Sequence, residues 1–133
     1  MKILLIEDST FQRIANERVL LKAGYSVIQA GDGEEGLRVA RKGIPDLILL
    51  DMMLPKVSGL DVLRALKADA LVKHIPVIVL NGLGQGNETK LLNEGAAALL
   101  MKSEKSFENN SSALIQAVES VLSQSKTIVA TTF

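Results

Sequence analysis

The sequence predicts an α/β domain built on a parallel sheet, and three observations carry that prediction. Short apolar runs recur along the chain (Ile3-Leu4-Leu5-Ile6, Leu47-Ile48-Leu49-Leu50, Val77-Ile78-Val79-Leu80), each preceded by polar or turn residues. Runs of that length read as strands buried on both faces. Between them lie segments of helical periodicity, about 10–15 residues each, as βαβ units require. Glycines and prolines stand at the junctions, among them Gly24, Gly43, Pro45, Pro55, Pro76 and Gly95, where helices stop and strands begin.

Taken in order, Lys2–Ile6 is the first strand. Ser9 or Asp8 caps a helix with Phe11, Ile14, Ala15 and Leu21 on one stripe, stopped by Gly24. Tyr25–Ala30 is the second strand, and Gly31-Asp32-Gly33 is a turn with Asp32 as the next cap. The helix that follows presents Leu37 and Ala40 and ends at Gly43; Pro45 then precedes the third strand, Asp46–Leu50. Pro55 to Gly59 is a loop in which Ser58 caps a helix carrying Leu60, Leu63 and Leu66. Pro76 opens the fourth strand, Val77–Leu80. Gly82, Gly84 and Gly86 make a flexible loop before a short helix, about Asn87–Asn93, closed by Gly95. Ala96–Met101 is the fifth strand, and Ser112 to about Ser123 the last helix, with Leu114, Val118 and Val121 at helical spacing.

Strand and helix therefore alternate five times, which implies right-handed crossovers. Because the strands are apolar on both sides, helices must cover both faces. The expected architecture is a three-layer (βα)5 sandwich of flavodoxin-like type, a parallel five-stranded sheet in the order 2-1-3-4-5. Residues 1–124 form that one domain, and residues 125–133 are a C-terminal tail or linker stub.

A chain of 133 residues is long enough to bury roughly two-thirds of its unfolded surface. Apolar residues are 47% and aromatics 3%, so the core is aliphatic. Fifteen basic and fifteen acidic side chains cancel, which argues against the basic face that nucleic-acid binding needs. The absence of cysteine excludes disulfides and thiolate chemistry. No run approaches the ~18 apolar residues of a membrane span, and no signal segment opens the chain, so a cytoplasmic location is expected.

The chemistry lies at the strand ends. The first strand delivers Glu7 and Asp8, and the third delivers Asp51. Strand order 2-1-3 sets those ends side by side, in the crevice where open α/β sheets place ligands. Three like charges are costly together unless a cation neutralises them. The cluster therefore predicts Mg2+, a hard ion that prefers oxygen ligands, with Asp8 and Asp51 as direct ligands, Glu7 acting directly or through water, and the backbone carbonyl of Met53 as a further oxygen. Lys102 ends the fifth strand and reaches the same edge, where its ammonium pairs with Asp51 or a phosphoryl oxygen. Asn81 ends the fourth and offers an amide donor. Nucleophile, metal, cation and donor are the parts phosphoryl transfer uses.

At these residues the chain resembles a known family, the response-regulator receiver domain of two-component signalling. The resemblance covers nearly all of residues 1–124 and rests on Ile3–Ser9, Ala23–Ala30, Asp46–Pro55, Ser58-Gly59-Leu60, Ile75–Leu80 and Gly95–Lys102. It implies that Asp51 accepts a phosphoryl group from a phosphohistidine on a sensor histidine kinase or histidine phosphotransfer protein. It also implies that Glu7 and Asp8 hold Mg2+ and that Lys102 contacts the phosphoryl group. Such a domain is a switch rather than an enzyme, catalysing only its own Mg2+-dependent phosphorylation and dephosphorylation. Its face of fourth helix, fifth strand and fifth helix would bind a downstream effector protein and is the candidate homodimer contact.

Three positions depart from the family pattern: Asn81 stands where Ser or Thr is usual, Leu99 where Tyr or Phe is common, and Ser103 where proline follows the lysine. With Ser103, the loop after the fifth strand is expected to run differently or to hold strain. These departures favour an alternative, a receiver-like interaction module that works without phosphorylation. A flavodoxin-like cofactor enzyme is opposed by Glu7 and Asp8, which would repel a phosphate. The lone His74 is expected on the surface, and Met52 and Met53 as gap-filling or rim residues.

Overall fold

Each apolar run forms a strand of a single sheet in the computed structural model. The structure describes residues 1–82, 88–102 and 106–131, with side chains at 1–81, 88–101 and 112–124. The elements in chain order are β1 (Lys2–Ile6), α1 (Thr10–Lys22), β2 (Ser26–Ala30), α2 (Gly33–Gly43), β3 (Leu47–Asp51), α3 (Gly59–Ala68), β4 (Val77–Gly82), α4 (Glu88–Asn93), β5 (Ala98–Lys102) and α5 (Ser106–Thr131). The sheet is parallel throughout in the order β2-β1-β3-β4-β5, as the strand–helix alternation predicts. The glycine-rich residues 83–87 and Ser103 lie outside the described residues.

The alternation of side chains along each strand sorts the core into two layers. Leu4, Ile6, Ile48 and Leu50 point to one face, where Ala40 of α2, Val62, Leu63 and Leu66 of α3 and Leu91 of α4 pack on them. Ile3, Leu5, Leu47 and Leu49 point to the other, covered by Leu20 of α1 and Leu114, Val118 and Val121 of α5. Both strand faces are therefore apolar, which is why these runs show no polar alternation.

The caps form at the residues expected. Ser9 accepts from the amide of Gln12, Asp32 from that of Glu35 and Ser58 from that of Asp61, each satisfying a donor left over in a first turn. The end of α2 differs in detail: Ile44 rather than Gly43 takes the left-handed conformation, with φ 40°, a cost of about 1–2 kcal/mol for a residue with a Cβ.

Two expectations are corrected. Phe11, Ile14 and Leu21 are exposed, and α1 instead buries Leu20, with Val19 packed beside it. Apolar residues lie on more than one side of this helix, so their spacing alone does not select the inner face. The last helix is also longer than its periodic segment, running from Ser106 to Thr131. The stretch Asn109-Asn110-Ser111-Ser112 contains residues that compete with helical hydrogen bonding, but no glycine or proline interrupts it. Among the described residues, no helix is long and apolar enough to cross a membrane.

Candidate functional site

Sheet register brings the acids together. Ile6 pairs with Leu50, and Asp51 pairs with Leu80. Glu7 and Asp51 are thus the next residues on neighbouring strands at the carboxyl edge, with Asn81 one step beyond on β4. The strands run further than their apolar cores, since β3 includes Asp51, β4 reaches Gly82, and β5 ends on Lys102 in register with Gly82. Asp51 is therefore a sheet residue rather than a loop residue, and its backbone is fixed by the ladder.

One carboxylate oxygen from each of Glu7, Asp8 and Asp51 can be chosen so that all three lie within 4.8 Å of one another. Glu7 and Asp51 are buried, at 1% and 2% exposure, while Asp8 is exposed. Like charges gathered at that separation, two of them buried, are costly together unless a cation offsets them. An all-oxygen donor set with one solvent-facing member fits a hard divalent ion that keeps water ligands. The residues present therefore fit a metal site.

The chain after β3 shapes the rest of the site. The amide of Met53 donates to Asp51 Oδ1 at 3.2 Å, and the amide of Met52 continues the ladder to Leu80 O at 3.0 Å. The amide of Val57 donates to Pro55 O at 2.7 Å around Lys56, whose φ is 66°. That pairing makes a γ-turn with positive φ, a strained loop form. Gly59 then approaches β3 so closely that a Cβ there would stand 2.6 Å from Met52 Cα and 2.9 Å from Asp51 O. Met52 is buried and Met53 is 63% exposed, matching the gap-filling and rim roles.

Asn81 is fully buried. Lys102 has the predicted strand-end place, and its side chain lies outside the described residues. Leu99 is half-buried and packs on the α2–α3–α4 layer. His74 is exposed and precedes β4, at the edge of the sheet opposite the acids. Two contributors escape the sequence reading. Arg13 donates from Nη1 to the backbone carbonyl of Glu7 at 2.8 Å, and Gly59 admits the close approach just described. A basic residue six positions after Glu7 was the available signal for the first, and the Ser58-Gly59 pair for the second.

Comparison with known proteins agrees with this geometry. The family described as response regulator receiver domain matches residues 3–119. The gliding motility regulatory protein of Myxococcus xanthus is 40% identical over 110 residues, which are 81% of this chain and 14% of that protein. The polar-differentiation response regulator DivK of Brucella ovis is 36% identical over 101 residues, 75% of this chain and 82% of DivK. The chain thus spans only a small part of the first relative and most of the second. Among solved structures, a response regulator receiver domain protein from Clostridium thermocellum superposes with a TM-score of 0.81 at 30% identity, covering 96% of this chain and 98% of that one. The chemotaxis protein CheY4 of Vibrio cholerae gives 0.80 at 27% identity, covering 90% and 97%.

Proposed function

We propose, for a chain that belongs to the response regulator receiver domain family, that Asp51 is a phosphoacceptor whose modification switches a protein-binding surface. The observation that carries the reading is the convergence of Glu7, Asp8 and Asp51 within 4.8 Å at one sheet edge. In this reading Glu7, Asp8, Asp51 and the Met53 carbonyl hold Mg2+. The bound ion supplies positive charge that offsets the carboxylates and lets an anionic phosphoryl donor approach.

The chain's own residues do the rest. A carboxylate oxygen of Asp51 bonds to the phosphorus of a phosphohistidine on a sensor histidine kinase or phosphotransfer protein. The nitrogen–phosphorus bond breaks, and its electron pair stays on the leaving imidazole. The Met53 amide on Oδ1 holds the carboxylate's orientation, so little freedom is lost at the moment of reaction. Lys102 and Asn81 take roles as cation and hydrogen-bond donor to the phosphoryl oxygens. The domain acts on no other substrate; its signal passes in the cytoplasm to an effector protein through the face of α4, β5 and α5.

A second reading, an interaction module independent of phosphorylation, is favoured by the buried carboxamide of Asn81 and by Leu99 in the same layer. One experiment separates the two. Acetyl phosphate with Mg2+ is expected to add one phosphoryl group, seen by intact mass, and to add none to Asp51→Asn or in EDTA. No added mass on the unaltered chain selects the second reading.

A further inference from the structure

Arg13 has no part in the chemistry above, yet it touches the backbone that carries the acids. Its Nη1 donates to Glu7 O at 2.8 Å, and the Glu7 amide donates to Ala30 O at 3.0 Å. Both backbone polar groups of Glu7 are therefore engaged. The same guanidinium lies over the β2–α2 turn, where a Cβ on Gly31 would stand 3.5 Å from Nη1. One side chain from α1 thus spans the connection after β1 and the turn after β2. The carbonyl it holds belongs to the peptide linking Glu7 to Asp8. Fixing that peptide plane fixes the direction in which Asp8 leaves the strand. Glu7 and Asp51 are held by burial, but Asp8 is exposed and has no such restraint.

We infer that Arg13 is a positioning residue for the metal site, clamping the Glu7–Asp8 peptide so that the exposed carboxylate stays within reach of the two buried ones. The inference rests on the Mg2+ reading given above. Two effects of this side chain oppose each other. Its positive charge repels a cation, so loss of charge alone tightens Mg2+ binding. Its clamp preorganises the ligands, so loss of the clamp weakens binding. A rim charge acts through solvent and is screened within ~8 Å at physiological salt, whereas a released peptide moves a ligand directly. The clamp therefore dominates, and the sign of the change is the test.

The experiment is a calorimetric Mg2+ titration of the full chain, Arg13→Met and Arg13→Lys at physiological ionic strength, with thermal unfolding in EDTA alongside. Met, like Arg, is a good helix former and keeps an unbranched stem, so the change isolates the guanidinium. Arg13→Met is expected to bind Mg2+ about tenfold more weakly, the scale of lost outer-shell support at metal sites, and Arg13→Lys, which retains a donor for the carbonyl, to recover most of that loss. If the EDTA melts show that Arg13→Met is unfolded, Arg13→Ala takes its place. Affinity unchanged or tighter in the folded neutral variant overturns the clamp. Absence of Mg2+ binding by the unaltered chain overturns the metal reading itself, a separate and distinguishable result.

Discussion

The backbone amide of Met53 donates to Oδ1 of Asp51 across 3.2 Å, so the proposed phosphoacceptor is steered by the peptide two residues further on. Asn at position 51 would keep an oxygen for that donor while removing one of three crowded negative charges. In EDTA, Asp51→Asn is expected to be more stable than the unaltered chain by about 1 kcal/mol, because a buried like charge has been relieved. With Mg2+ at a hundred times its dissociation constant the order reverses: the unaltered chain gains about 2.7 kcal/mol and the variant far less. Urea unfolding in both buffers checks this, and a variant less stable than the unaltered chain in EDTA would count against the crowding.

Gly59 makes the β3 end sensitive to a single methyl group. Its would-be neighbours, Met52 Cα at 2.6 Å and Asp51 O at 2.9 Å, are backbone atoms that cannot swing aside. Gly59→Ala is expected to destabilise by about 2 kcal/mol, within the range for overpacking. It should also weaken Mg2+ binding, since relief comes only by shifting the strand that bears Asp51. Full stability in urea would mean that the loop moves instead.

Adjacent leucines on α1 report its orientation. Leu20 is fully buried and Leu21 is 51% exposed. Leu20→Ala should cost about 3 kcal/mol, while Leu21→Ala should stay within about 0.5 kcal/mol. Equal losses in urea would mean that the helix is turned differently.

Asp69, just after α3, gives a pH signature. A hydrogen bond from Arg41, and then the amide of Leu71, hold its carboxyl below the ordinary value of 3.8. Its folded-state value is depressed, so its contribution is present above the unfolded value and is lost as pH falls through the folded one. The pair is at the surface and its effect is modest. Asp69→Asn is expected to flatten the acid limb of stability below about pH 4, the unfolded carboxylate value. An unchanged acid limb would remove this pair from the pH response.

The acid cluster could be read before any coordinates because two short apolar runs end in carboxylates and the βα alternation orders the strands. Ile6 opposite Leu50 then follows from the 2-1-3 neighbourhood. Capping by Ser9, Asp32 and Ser58 was legible because a side-chain oxygen before a helical stretch has a local purpose. The inner face of α1 was not, since Phe11, Ile14 and Leu21 form a stripe as regular as that of the residues actually buried. Nor was the reach of α5 through Asn109 and Asn110, where local helical preference is weak. The Arg13–Glu7 contact leaves no periodic trace, because a side chain bonding a carbonyl across a loop depends on the loop's path. The left-handed Ile44 ran against the expectation that glycine takes such a place.

The placement of β1 between β2 and β3 separates the two halves of the acid cluster by the whole of α1, β2 and α2. A polypeptide emerging from a ribosome and not yet including Leu47 carries Glu7 and Asp8 without their distant companion. In the proposed metal reading, capture of an ion must then await docking of the third strand, a contact of long sequence separation. Divalent cations would therefore reward only chains whose sheet is already assembled through its centre, acting as a seal on finished molecules rather than a guide to nascent ones.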